Sequence, residues 1–379
     1  MKFHTSRDKA LESLDAFINN DIINYSSKRN YDFGPIERKN VSCLSPYISH
    51  RLINEYEISK KVLSKHPYQK VEKYIQEIYW RVYWKGWLEL RPKVWDDFTE
   101  DLNIIEESEN YHLAINGQTE IECFNDWVKE IKEYNYLHNH ARMWFASIWI
   151  FTLGLPWQKG AEFFMKYLLD GDAASNTLSW RWVGGLQTKG KHYLAQSWNI
   201  SKFLNKQYKD IKLRENVPSL IDNREYKISP IEIQKSNSKN DYLIVFENDL
   251  SVENLKSKNY KKIYFVLLDN KNRSLKLDTK VLNYKKNIIK DQLNTINNNF
   301  ESINENKTEE LLENLKSFDM VYPSIGENMS FLKKMVKEKK LIINFITRVE
   351  DIFCWSFSNK GYFNFKSNIP KILVKFQLN

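Results

Sequence analysis

The chain predicts a multidomain α and α/β protein, with a tryptophan-rich helical unit followed by a small Rossmann-like unit. Three observations carry that expectation. Eleven of the twelve tryptophans fall between residues 80 and 198, and only Trp355 lies beyond. Apolar residues recur at helical spacing through 1–205. After a segment at 206–240 that reads as a linker, with Pro218, Pro230 and the polar run KSNSKND, residues 241–379 alternate short apolar runs with helical stretches.

In chain order, Leu11–Ile18, Val71–Leu90, Phe124–Ile131 and Ala141–Leu153 each carry an apolar face at the 3.6-residue period and are expected as helices. Ser45-Pro46 reads as a helix start, with the serine as cap and the proline at the first helical position. Beyond the linker, Tyr242–Phe246, Lys262–Leu268, Met320–Tyr322 and Leu341–Ile346 have the length and composition of buried strands. Glu309–Ser317 and Phe331–Lys339 are the helices between them, which suggests a parallel sheet with crossovers. The Asn-rich stretch 294–307 is expected as a loop, and neither a GxGxxG nor a phosphate-loop lysine motif is present.

With 379 residues, 42% apolar and 14% aromatic, the chain is too rich in core-forming side chains for a disordered protein. A net charge of +9 and a pI near 9.0 favour a polyanionic partner. Cys43, Cys123 and Cys354 are far apart and form no CxxC, so they read as reduced thiols. Charges throughout Met1–Asp15 argue against a signal peptide. Met143–Trp157 is apolar but short for a bilayer span and bounded by Arg142 and Lys159. The expectation is a cytoplasmic monomer with no membrane segment.

The densest chemistry lies in residues 136–182. Trp144, Trp149, Trp157, Trp180 and Trp182, with Trp127 just upstream, surround Asn139, Arg142, Asp170, Asp172 and Asn176. Buried charges are costly unless paired, so Arg142 is expected to pair with Asp170. Asp172 and Asn176, four apart, are expected to face one ligand together. Rings and pairs in this combination suit a polar, planar, redox-active group. Glu77, Trp80 and Arg81 share one helix face, and a carboxylate beside a large flat ring suits recognition of a base. His138 and His140 form an HxH without a carboxylate at ligand spacing, so no metal is expected.

Four segments, LSPYI at 44–48, QEIYWR at 76–81, LHNHARM at 137–143 and DGDAASNTLSWRW at 170–182, follow one another in the order and spacing of a known family. Over residues 5–200 the chain resembles the DNA photolyase/cryptochrome family, and among its members the short bacterial photolyase-like flavoproteins. The resemblance implies a helical domain that holds FAD above a cavity for a DNA lesion. It implies that Tyr25, Ser42, Leu44 and Ser45 hold the FAD phosphates and ribityl chain. Arg142, Asp170, Asp172 and Asn176 would surround the isoalloxazine. Glu77, Trp80, Asn139, Met143 and Trp182 would line the lesion pocket, Arg29 and Arg81 would contact DNA, and Trp180 and Trp157 would carry electrons.

The resemblance also implies the reaction, light-dependent splitting of cyclobutane pyrimidine dimers in ultraviolet-damaged DNA. Asn139 and Met143 stand where photolyases of the other lesion class carry histidines. Asn176 resembles photolyases, whereas plant-type sensors carry Asp. The alternative is a cryptochrome-like blue-light receptor without repair. Family members ordinarily begin with an α/β antenna domain. Here YLIVFENDLS, KKIYFVLLD and GYFNFKSNIPKIL resemble that domain from a C-terminal position, as a circular permutation would place it.

Overall fold

Apolar faces at helical spacing become helices throughout the first two hundred residues, and tertiary contacts add several that periodicity alone does not show. The computed structural model describes residues 3–231, 233, 240–251, 260–295, 300–302 and 307–378. The helices are α1 (Arg7–Asn20), α2 (Tyr25–Lys28), α3 (Gly34–Glu37), α4 (Ser45–Ile48), α5 (Glu55–Leu63), α6 (Tyr68–Glu89) and α7 (Lys93–Leu102). They continue as α8 (Glu109–Asn116), α9 (Glu122–Tyr134), α10 (Asn139–Ser147), α11 (Trp157–Tyr167), α12 (Ala173–Val183) and α13 (Ser197–Phe203). A π turn at Ile148–Thr152 prolongs α10 and ends before Gly154 at φ 66°.

The Ser45 expectation is corrected in detail. Leu44 occupies the N-cap position, Ser45 begins α4, and Pro46 follows in the first turn. Freed from capping, the Ser45 hydroxyl reaches across to Asp170.

The α/β unit is a five-stranded sheet of order β3-β2-β1-β4-β5, with β1 at Tyr242–Phe246, β2 at Lys262–Val266, β3 at Phe300–Ser302, β4 at Ser317–Val321 and β5 at Ile342–Ile346. All pairings are parallel, with Tyr242 opposite Lys262 and Ser317 opposite Ile342. The four expected strands are present, β1 with the expected ends and the other three with ends shifted by one to three residues, and β3 lies inside the stretch expected to be loop. Helices α14 (Thr279–Thr295), α15 (Thr308–Leu315), α16 (Glu327–Lys339), α17 (Val349–Trp355), α18 (Tyr362–Ser367) and α19 (Ile369–Lys375) complete the unit. Helix α14 escaped the sequence reading because Lys and Asn dominate it. Among its described side chains the buried apolar ones are Val281, Tyr284, Ile288 and Ile289, a narrow stripe.

One apolar core runs through both units, from Ala10 and Leu14 to Ile372 and Leu373. The units are also clamped by charge. Arg51, held at φ 47° and buried, forks onto Asp351 at 2.6 and 2.7 Å and also reaches Glu55 and Asp249. Arg348 closes the network on Asp249, and the Tyr56 hydroxyl donates to Asp351. Gly86 permits the contact of α6 with α17, since a Cβ there would meet Ser358 Oγ at 2.5 Å and the Trp355 backbone at 2.9 Å. The segment after residue 205 runs in irregular backbone along the helical unit, tied down by Lys206–Asp126 and Arg224–Asp101.

Candidate active site

Helix α10 sets the first half of the site. His138 caps it, its Nδ1 accepting from His140 N at 3.2 Å, while the His140 ring stacks on Trp144 at 4.1 Å. Burial pushes His138 down to about 4, so it stays a neutral acceptor. The HxH pair therefore caps and stacks, and no cluster of metal-ligating side chains occurs among the described residues.

One turn on, Arg142 forks onto Asp170 with Nη1 to Oδ1 at 3.1 Å and Nη2 to Oδ2 at 2.9 Å. Its Nε donates to Leu137 O, and its guanidinium lies over the Tyr136 ring. The expected pair is thus formed, with Ser45 Oγ as a further donor to the same carboxylate.

Helix α12 sets the second half. Asp172 is its N-cap and accepts from Ser175 N at 3.0 Å. Its other oxygen pairs with Arg81 Nη1. Burial works to raise this carboxyl, but Arg81 and then Lys85 outweigh it and hold it below the usual carboxylate range. Arg81, expected to contact DNA, is engaged in this pair. Its guanidinium is turned inward and locks α6 to α12. Asn176 is anchored through its Nδ2, which donates to Ala161 O on α11 at 2.9 Å and leaves its Oδ1 for another partner.

On α6, Glu77 pairs with Arg29 at 3.3 Å and with Lys73 at 3.2 Å, so Arg29 is bound to the predicted recognition carboxylate. The Trp80 indole stacks on Tyr362 with ring centroids 3.3 Å apart and planes within 10°. Tyr362 was not found from sequence, because nothing local marks a tyrosine in a short C-terminal helix as a partner of α6.

Among the other expected residues, Tyr25 packs edge-on against Tyr74 and Phe17, and burial, with Glu77 nearby, raises its hydroxyl well above the usual range. Leu44 is buried, while Ser42 stays partly accessible. Trp182 stacks on Tyr193, Met143 is half-buried and Asn139 exposed. No hydrogen bond or ion pair among the described residues joins Asn139 or Met143 to Glu77 or Trp80. Trp180 is buried and meets Trp149 edge-on at 6.1 Å, and Trp149 meets Tyr111 at 6.0 Å. Trp157 stacks on Phe98 instead.

A family model described as the FAD binding domain of DNA photolyase matches residues 74–276. The chain belongs to this family. The match spans α6 to α12, where Glu77, Arg142, Asp170 and Asn176 lie, and runs on through the irregular segment into the α/β unit. The chain is 28% identical over 183 residues to a deoxyribodipyrimidine photo-lyase of Agrobacterium fabrum, an alignment covering 46% of this chain and 37% of that protein. It is 26% identical over 224 residues to one of Buchnera aphidicola, covering 56% and 46%. The alignments thus span less than half the length of these curated relatives.

Among solved structures, the chain is similar to a class III photolyase from Agrobacterium tumefaciens, with 25% identity, a TM-score of 0.46, and coverage of 52% of this chain and 42% of that one. It is also similar to a Synechocystis cryptochrome, with 20% identity, a TM-score of 0.47, and coverage of 54% and 44%.

FAD is the cofactor of the family's domain, and the residues present fit it. Ser175 Oγ, beside Asn176, and Trp180 Nε1, one turn later, are buried without a partner, as is His138 Nε2 on the facing helix. Unsatisfied polar atoms on α12 and at the start of α10, the elements that carry the Asp172 and Arg142 ion pairs, suit a polar ring system. Among the described residues, no helix is long and apolar enough to cross a membrane.

Proposed function

We propose that the chain is a light-dependent DNA repair lyase that uses FAD to split cyclobutane pyrimidine dimers in ultraviolet-damaged DNA. One observation carries the reading. The Arg81–Asp172 pair ties the Glu77–Trp80 face of α6 to the helix that bears Asn176, which supports reading the two as one site, the first for the base and the second for the flavin. FAD, when bound, supplies the light-driven electron.

The chain's own residues bind and orient. Ser42 and Ser45 offer hydroxyls to the phosphates and ribityl chain. The Arg142–Asp170 fork and Asn176 hold the ring system in place. Trp80 and Trp182 give the extruded dimer flat apolar surfaces, a mode in which stacking is worth about 1–3 kcal/mol per base. Glu77 offers a carboxyl to the pyrimidine edge, and displacing Arg29 from it frees a cation for the neighbouring phosphate. Asn139 and Met143 shape the floor.

The test is repair of irradiated oligothymidine by the reduced protein under blue light, on single and double strands, with binding measured across a salt series. Repair with tighter binding of damaged than undamaged DNA is expected. Photoreducible FAD without repair on either substrate would move the assignment to a blue-light receptor.

A further inference from the structure

The Trp80–Tyr362 stack joins the recognition face to the far end of the chain. Helix α18 and the turn before it are tied to α6 and the residues just after it through several anchors. The Tyr362 hydroxyl donates to Gln76 O at 2.7 Å, the Tyr83 hydroxyl donates to Lys360 O at 3.1 Å, and Arg91 Nη2 donates to Asn359 O at 3.0 Å. Phe365 packs against Tyr83 at 5.5 Å and Tyr79 at 6.5 Å. Tyr362 is only 8% exposed, whereas its neighbour Phe363 is 85% exposed, so the segment buries one ring on α6 and turns the next outward. Tyr362 is fixed at its hydroxyl end by a backbone carbonyl, and its face lies flat on an indole that keeps part of its own surface accessible.

The same indole also meets Trp84 at 5.1 Å and Tyr83 edge-on at 5.7 Å. From this geometry we infer that Tyr362 is a positioning residue for Trp80: it backs one face of the indole so that the surface left accessible is a preformed platform for a pyrimidine. The inference rests on the repair function proposed above. The physical reason is entropic. An indole on an exposed helix face samples several rotamers and must be immobilised when a base stacks on it, whereas one already clamped against a second ring does not pay that cost again. The same contact makes the C-terminal segment part of DNA recognition, although it belongs to the α/β half of the chain.

The experiment uses the full flavin-loaded protein labelled with 5-fluorotryptophan, with the Trp80 fluorine resonance assigned by its loss in Trp80→Phe. Three proteins are compared, wild type, Tyr362→Ala and Tyr362→Phe, for affinity toward irradiated and undamaged oligothymidine and for the position and width of that resonance. Tyr362→Ala is expected to shift and broaden the Trp80 resonance. It should also lower the damaged-to-undamaged affinity ratio by about 3- to 10-fold, the cost of immobilising one side chain, while undamaged DNA binds as before. Tyr362→Phe keeps the stack and should retain most of both properties.

Loss of the stacked ring shifts the resonance in any case, so the width and the affinity ratio decide: a merely structural tyrosine would give a less stable Tyr362→Ala protein with an unmoved ratio and an unbroadened resonance, and that result overturns the inference. If the wild type shows no preference for irradiated DNA, the proposed function fails at that step. The inference fails separately if the wild type discriminates, Trp80→Phe weakens discrimination, and Tyr362→Ala leaves it intact.

Discussion

Arg142 and Asp170 meet in a two-pronged fork at 2.9 and 3.1 Å, with Asp170 almost wholly enclosed and Arg142 about one-fifth exposed. Such a fork fixes direction as well as distance, because two parallel N–H···O bonds leave the guanidinium no free rotation. Arg142→Ala strands the carboxylate with the Ser45 hydroxyl as its remaining side-chain donor. Breaking a fully buried pair costs about 3–5 kcal/mol, and the partial exposure of Arg142 puts this case at or below the lower end. The expected outcome is a folded protein that loses FAD during purification, read as the ratio of flavin to protein absorbance. Full flavin occupancy would remove the pair from the cofactor site.

Gly160 lies under the Trp180 indole. A Cβ at this position would collide with the six-membered ring of that side chain, which Phe164 and Trp149 hold from other sides. Gly160→Ala should therefore lower stability by about 1–3 kcal/mol, the usual cost of overpacking a core, and should perturb Trp180 fluorescence. Thermal unfolding checks the first expectation; an unchanged midpoint would mean that α11 and α12 separate easily.

Ring contacts lead outward from Trp180 to Trp149 and on to Tyr111, while Trp157 lies against Phe98. Trp180→Phe should block photoreduction of bound oxidised FAD. Trp149→Phe should slow it, and by more than Trp157→Phe does. The rate of flavin bleaching under blue light with an external thiol measures all three. A larger effect at Trp157 would return the route to the pair expected from sequence.

The helical unit was legible because its long amphipathic stretches repeat every 3.6 residues, and the strands because their apolar runs are short and bounded. The Arg142–Asp170 pair was legible for a different reason: a charge among that many rings demands a partner, and the candidates were few. The partners of Asp172 and Asn176 were not. Arg81 reaches Asp172 only because α6 lies beside α12, and Ala161 O is a backbone acceptor that leaves no mark in side-chain spacing. Ser45 misled for a similar reason. Ser-Pro is a good start signal, yet the hydroxyl found a carboxylate far along the chain. Tyr362 was hidden because α18 is six residues long and too short to show a period.

Glu89, at the end of α6, accepts from the Tyr322 hydroxyl at 2.7 Å and from Ile325 N at 2.8 Å, and so ties the helical unit to the loop after β4. Burial pushes this carboxyl from 4.5 up to about 7, although both hydrogen bonds pull the other way. The folded state therefore holds the proton more tightly than the unfolded chain. Its contribution to stability is complete below about pH 4.5 and is lost as the pH rises through 7, and a shift of that size is worth roughly 3 kcal/mol. His138, pushed down to about 4, acts in the opposite sense across pH 4 to 6.5, so the wild-type curve alone does not isolate Glu89. The difference between wild type and Glu89→Gln does, because Gln stays neutral and can still accept one of the two bonds. Urea unfolding at pH 5 and pH 8 should show the variant gaining on the wild type at the higher pH. Parallel pH curves for the two proteins would mean that Glu89 is already ionised in the folded state, held by Lys85 nearby.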